Sequence, residues 1–407
     1  MNKWEEKRLG DVCTKITKGT TPTTLGNSFV NSGINFIKSE SITNSKFLDK
    51  NKYAFIDEIT YHKLNRSKIE VNDILFSMAG MFLGKTAIVQ EKDLPANTNQ
   101  AVAIIRINTQ HADYNYLYYY LSQKQIKDYI NLSTAQSAQP NINLAQISKL
   151  PIKLPPLPTQ QKIADILSAY DDLIENNNRR IELLEKAAQN LYKEWFVRFR
   201  FPNHKQTKFE NGLPQGWVVK KLSEFVYVTD GTHDTPKQTE SGYYLVTGKC
   251  ITNDFIDFSK AYFISKADHD KIKKRSGLNK GDILFSNIGT VGSVSIIDYD
   301  IDFSVKNVII LKTQINIEKC YLYCLLKNST IQDLFKQQTN GSSQQFISLR
   351  FMRNFKVLIP ENKILEQFTE VAQPIIAEKY SLYKQNRNLI KQRDLLLSRL
   401  MSGKLEV

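Results

Sequence analysis

At 407 residues the chain is long enough for two or three domains, each with its own core, and its 41% hydrophobic content is that of a globular protein. No apolar run approaches the roughly 18 residues a membrane span needs, and Met1-Asn2-Lys3-Trp4-Glu5-Glu6-Lys7-Arg8 lacks the apolar stretch of a signal peptide, so a cytoplasmic protein is expected. The net charge of +14 favours a nucleic-acid partner over an even, merely solubilising surface, and four ill-spaced cysteines with scattered histidines argue against zinc.

In chain order, residues 1–158 mix short β-branched runs with turns. Ile34–Ile37, Asp73–Phe76, Thr86–Val89 and Val102–Ile105 read as strands bounded by Gly, Asn, Ser or Pro, and Tyr114–Ile130 has helical spacing, so the class is α+β. Residues 159–200 change character. From Thr159 to Phe199 there is no Gly or Pro, and Thr159, after Pro155, Pro156 and Pro158, is the expected N-cap. Apolar residues at Ile163, Leu167, Tyr170, Ile174, Ile181, Leu184, Ala188, Leu191 and Trp195 follow the alternating steps of a coiled-coil seam, with Asn177 as a register-fixing polar position. Such a rod is ~60 Å long.

Residues 201–361 repeat the first domain, and residues 362–407 form a second rod. Its seam reads Phe368, Ala372, Ile375, Lys379, Leu382, Asn386, Leu389, Arg393, Leu396 and Leu400, where Lys and Arg stems can cover apolar surface. The economical partner for each rod is the other, giving two similar globular domains separated by an antiparallel coiled coil. The alternative is that each rod packs on its own domain.

The repeat is written in letters as well as layout. Asp73-Ile74-Leu75-Phe76-Ser77 returns as Asp282-Ile283-Leu284-Phe285-Ser286, and Trp4 and Leu9 match Trp217 and Leu222. Gly19-Thr20-Thr21-Pro22 is echoed by Gly231-Thr232-His233-Asp234-Thr235-Pro236, and Tyr116-Leu117-Tyr118 by Tyr321-Leu322-Tyr323. A period near half the chain implies two related domains rather than a solenoid. Catalytic signatures are missing. Gly80-Met81-Phe82-Leu83-Gly84-Lys85-Thr86 is too short for a phosphate-binding loop, and Gly289-Thr290-Val291-Gly292-Ser293 lacks the lysine. The chain reads as a binding protein with no catalytic, cofactor or metal residues of its own.

This organisation resembles the specificity subunit of type I restriction–modification enzymes. The resemblance rests on Trp4 to Leu9, Gly19 to Pro22 and the two Asp-Ile-Leu-Phe-Ser strands. It extends to Leu154-Pro155-Pro156-Leu157-Pro158-Thr159-Gln160-Gln161-Lys162-Ile163 and the Leu395–Leu405 ending, so that it spans essentially the whole chain. It implies that domains 1–158 and 201–361 are target-recognition domains, each for one half of a bipartite, asymmetric site in double-stranded DNA. The helices 159–200 and 362–407 would be a spacer and a docking platform for two methyltransferase subunits. S-adenosylmethionine, ATP and magnesium would belong to those partners and to a separate restriction subunit, which methylate adenine N6 and cleave.

Polar loops at equivalent places are the expected DNA contacts. In the first domain they are Thr20, Thr21, Lys38, Ser77, Lys85, Asn99, Gln100, Ser137 and Gln139. In the second they are Thr232, His233, Lys249, Ser286, Asn287, Thr290, Lys306, Asn307, Ser343, Gln344 and Gln345. Asn and Gln can grip adenine edges, and Lys can take guanine or phosphate. A turn or cap role fits each equally well, and Ser77 and Ser286, following identical strands, suit shaping the fold. Trp195 and Phe196 at the rod end suit either a partner contact or core packing. The rival readings are a protein-binding adaptor, which would not bind DNA, and a metal-dependent nuclease, which would need clustered carboxylates.

Overall fold

The computed structural model describes residues 4–43, 45–134, 141–252, 254–313, 316–339 and 346–407. The chain divides into two compact units, residues 1–179 with 383–407 and residues 180–382.

The first unit runs β1 (Glu5–Arg8), β2 (Cys13–Lys18), β3 (Ile34–Ile37), β4 (Ala54–Ile56), α1 (Glu58–Lys63), β5 (Ile74–Ser77), β6 (Thr86–Ile88), β7 (Ala96–Thr98) and β8 (Val102–Ile107). Then come α2 (Tyr114–Ser122), α3 (Lys124–Thr134), α4 (Leu144–Ser148), β9 (Pro151–Leu154) and the start of α5 (Leu157–Tyr192). One sheet has the order β2-β8-β5-β6, a second the order β4-β3-β7, and β1 pairs with β9. Both faces of the four-stranded sheet are covered. Ile74, Phe76, Ala103 and Ile105 face the Tyr116, Leu117 and Ile147 side, while Leu75, Val102 and Ile104 alternate onto a second cluster with Ile37, Ile42 and Ala87. This double burial is why these strands are continuous apolar runs.

The second unit repeats the plan. After β10 (Phe209–Glu210) and β11 (Leu213–Pro214) come β12 (Val218–Lys221), α6 (Leu222–Phe225), β13 (Tyr227–Asp230), β14 (Tyr243–Thr247), β15 (Ile251–Thr252), β16 (Phe255–Ile256), β17 (Tyr262–Ile264) and α7 (Lys266–Ser276). They are followed by β18 (Ile283–Ser286), β19 (Val294–Ile296), β20 (Phe303–Lys306), β21 (Val308–Lys312), α8 (Asn316–Lys327), α9 (Ser329–Thr339), α10 (Leu349–Asn354), β22 (Lys356–Ile359) and α11 (Asn362–Leu400). The sheets are β13-β21-β18-β19 and β17-β14-β20, with β12 on β22. Each is the positional counterpart of a sheet in the first unit.

The repeated aspartates are structural. Asp73 takes Nε and Nη2 of Arg106 on β8, both at 2.8 Å, and the Glu70 N–H at 2.7 Å. Asp282 takes Lys312 Nζ on β21 at 2.6 Å and the Asn279 N–H at 2.8 Å. Burial pushes the Asp282 carboxyl above its usual range although Lys312 opposes the shift.

In each unit the ends of α5 and α11 pack antiparallel. In the first unit Asn177 Nδ2 donates to Asn386 Oδ1 at 2.9 Å, and Arg393 meets Asp171 at 2.5 Å. In the second, Arg180 meets Glu378 at 2.5 Å, Lys379 meets Glu185, and the Trp195 and Phe368 rings lie 5.7 Å apart. Ile163, Leu167, Asn177, Phe368, Leu382 and Leu400 are buried on the seam. Tyr170, Ile174, Ile181, Leu184, Leu191, Ile375, Leu389 and Leu396 are half-buried on it.

Thr159 is not the N-cap. The helix starts at Leu157 and takes Pro158 into its first turn, where a missing N–H costs nothing. Gln160 instead fastens that turn, donating to Pro155 O at 2.8 Å and accepting the Asp113 N–H at 3.0 Å. A π-turn, Lys193–Val197, follows α5. Pro374 stands inside α11 on an exposed position. No helix among the described residues is long and apolar enough to cross a membrane.

Candidate nucleic-acid interface

In both units one glycine brings a polar loop onto a strand end. The Gly19 N–H bonds Val102 O at 3.3 Å and the Thr20 N–H bonds Thr98 O at 3.1 Å; their counterparts are Gly231 to Val308 O and Thr232 to Val305 O, both at 3.0 Å. A Cβ on Gly19 would lie 1.9 Å from Thr98 O, and one on Gly231 2.1 Å from Val305 O. Only glycine permits that approach.

In the first unit the clamp gathers Thr20, Thr21, Asn99 and Gln100. Thr21 Oγ1 donates to Gln100 Oε1, and Asn99 Oδ1 caps the Ala101 N–H at 3.2 Å. Lys38 follows Ile37, the register partner of Thr98, so it sits at the same strand end, its ammonium 4.7 Å from the Phe29 ring.

The second unit gathers Thr232, His233, Lys249, Lys306 and Asn307. His233 Nδ1 meets Asn307 Oδ1 and His233 Nε2 meets Asp230 Oδ2, both at 2.9 Å. The Asn307 N–H donates to Thr232 O at 3.1 Å, and Lys306 Nζ donates to Thr235 Oγ1 at 2.5 Å. Lys249 follows Thr247, the register partner of Lys306, by one short turn. The cluster carries two ammonium groups, an imidazole and one amide, and can donate to base edges and phosphates.

Other expected residues lie elsewhere. Ser77 and Ser286 are fully buried strand residues, out of reach of a ligand, and Asn287 is buried with its amide on Ile347 O at 3.1 Å. Lys85 and Thr290 occupy the β5–β6 and β18–β19 turns, with Lys85 Nζ 4.8 Å from the Phe82 ring. Trp195 and Phe196 are interior: Phe196 packs on Trp217, Tyr321 and Phe368, so core packing takes both away from a partner. Ser137, Gln139, Ser343, Gln344 and Gln345 lie outside the described residues.

Two site residues carry no local signal in the sequence. Asp230 ends β13 where the first copy has Lys18, and Arg275 closes the basic run Lys271 to Arg275; Arg275 Nη2 reaches Asp230 Oδ1 at 2.8 Å. Among the described residues no group of three His, Cys, Asp or Glu side chains is arranged to hold a metal.

A duplicated α+β head, each copy presenting a glycine-clamped polar loop and each built on an antiparallel helix pair, defines a two-headed binding protein. The profile of the type I restriction modification DNA specificity domain matches residues 1–186 and again 214–394, and the chain belongs to that family. The MjaIX type I restriction enzyme specificity subunit of Methanocaldococcus jannaschii is 26% identical, covering 99% of this chain and 94% of its own length. The HindI specificity subunit of Haemophilus influenzae is 22% identical over the full length of both. The type I restriction–modification S subunit from M. genitalium has the same fold, with a TM-score of 0.60 at 15% identity over 98% of this chain and 96% of that one.

Proposed function

We propose that this chain is the DNA specificity subunit of a type I restriction–modification complex and catalyses nothing itself. Residues 1–158 and 201–361 each read one half of a bipartite, asymmetric site, and residues 159–200 and 362–407 carry the partners. The observation that supports this best is the pair of clamped strand-end clusters. Their backbone geometry is repeated, while the side chains at matched positions differ: Thr21 against His233, and Asn99 against Lys306. Like scaffolds with unlike readers suit two unlike half-sites. The +14 charge supplies affinity for the duplex backbone.

Two methyltransferase subunits dock on the helices, where Leu173, Leu183, Val371, Ile390 and Leu395 expose apolar side chains. S-adenosylmethionine serves those subunits in adenine N6 methylation, while ATP and magnesium serve a restriction subunit. The test is genome-wide mapping of N6-methyladenine in cells with and without the gene. Loss of one bipartite, asymmetric motif is expected, and exchange of residues 1–158 should change one half of it alone. An unchanged methylome with the methyltransferase expressed would refute the proposal in favour of a protein adaptor.

A further inference from the structure

The geometry points to Asp230 as a positioning residue for base readout by the second unit, and to Arg275 as the side chain it aims at a guanine. The inference rests on the DNA-reading function proposed above. Asp230 is a nearly buried carboxylate, 6% exposed, and its two oxygens take separate donors. Oδ2 meets His233 Nε2 at 2.9 Å, and Oδ1 meets Arg275 Nη2 at 2.8 Å. A buried carboxylate needs such partners, because an unpaired one is costly. Here both partners are 55% exposed at the side chain, so the carboxylate holds two groups whose far edges face solvent.

Arg275 is held through Nη2, which leaves guanidinium donors for a second acceptor. A planar fork anchored at one end loses little freedom when the other end binds, and guanine O6 and N7 are its matching acceptors in the major groove. His233 is fixed from its other side by Asn307, which has φ +51° and itself bonds Thr232 O at 3.1 Å. Four pieces of chain therefore converge: the end of β13, the Gly231–Pro236 loop, the β20–β21 turn and the end of α7. The lysines nearby are differently engaged. Lys273 is tied to Asp302 at 2.5 Å and Lys271 to Asp234 at 3.6 Å.

The first unit cannot build this device. Where the second has Thr229-Asp230-Gly231-Thr232, the first has Thr17-Lys18-Gly19-Thr20, with a cation in place of the carboxylate. The effect must then be confined to one half-site.

The test uses the whole complex in cells, comparing the methylated motif of wild type with those of Arg275→Ala and Asp230→Asn. Arg275 is exposed, so its truncation leaves the core intact. In R275A one G·C position in one half of the motif should become degenerate, with discrimination falling roughly 5- to 150-fold. D230N should loosen the same position, and the other half should stay intact in both variants. A uniform fall in methylation with the motif unchanged would mean that the Asp230 pair only holds α7 to β13, and would overturn the inference; so would an intact motif in R275A. If wild type itself shows no bipartite motif, the proposed function fails and this assignment with it, a result distinct from the other two.

Discussion

Removing Arg393 should unfasten the first unit's helix pair while leaving the second unit's intact. Asp171, 4% exposed at its side chain, receives Arg393 Nη1 at 2.5 Å and the Tyr119 hydroxyl at 2.6 Å. Arg393→Met keeps most of the apolar stem but leaves that carboxylate with the tyrosine alone. Breaking a buried pair from one side costs about 3–5 kcal/mol. In native-state hydrogen exchange this is a loss of about two to four orders of magnitude in protection. It should appear in residues 163–177 and 386–400, and not around Lys379, which has its own partners in Glu185 and Asp254. Trp4 fluorescence reports the first unit, and Trp195 and Trp217 the second. The companion variant D171N/R393M removes both charges and keeps an acceptor for Tyr119, so it should recover to within about 1 kcal/mol of wild type. The reasoning fails if R393M exchanges like wild type, or if the double variant is no better than the single.

Acid should act on the second unit through Asp254. Burial raises its pKa, but Lys379 and Lys327 outweigh burial and hold it below the usual carboxylate range. A carboxyl depressed on folding gives stability above its unfolded pKa of about 3.9, and that stability is lost as the pH falls through the folded value. The stability gap between wild type and K379M should therefore narrow in urea titrations below about pH 4; a constant gap would exclude this origin. Gly19→Ala and Gly231→Ala should each cost about 1–3 kcal/mol in melting experiments, since each new Cβ must push back a strand carbonyl. Each should also erase one half of the methylated motif, and equal loss of both halves would refute the independence of the heads. Replacing Lys249 and Lys306 by alanine should flatten the salt dependence of DNA binding by the purified complex, by about one unit of log–log slope for each phosphate no longer neutralised. An unchanged slope would move both lysines away from the backbone.

The repeat was legible in the sequence because a doubly covered sheet demands the same apolar run wherever it recurs. Asp73 and Asp282 recur for a related reason, since each meets the cation one residue beyond its strand's register partner. Asn177 was legible as a polar residue on an apolar seam, and it meets Asn386 there. What local pattern could not give was tertiary. Pro158 enters α5 because first-turn N–H groups have no intrahelical partner, which displaced the expected cap. Trp195 and Phe196 at the rod end suit a partner contact and core packing equally on local pattern, and the choice falls to core packing because the repeat supplies Trp217, Tyr321 and Phe368 to enclose them. Ser77 and Ser286 come at the loop end of their strands but lie beneath it. Asp230 and Arg275 are far apart in sequence, and only the fold, which brings the end of α7 to the end of β13, makes them neighbours.

The divergence between the copies is itself ordered by physics. Where backbone meets backbone, as at Gly19 on Thr98 and Gly231 on Val305, one residue type fits and the copies agree. At the same strand ends the copies differ, because each side chain answers to its own surroundings: Lys18 is exposed, whereas Asp230 is buried and held by His233 and Arg275. The seam shows a third behaviour. In both units the seam pair shielded from solvent takes its acid from α5 and its base from α11, Asp171 with Arg393 and Glu185 with Lys379, while the reversed pair Arg180 with Glu378 is exposed. Two α11 helices registered on Asn386 would set Lys379 against Arg393, and two α5 helices would bring Asp171 and Glu185 together, each with its charge unpaired on a buried seam. A duplicated helix would ordinarily pair with its own kind as well as with its copy; these charges make the mixed pair the one in which every buried charge is answered.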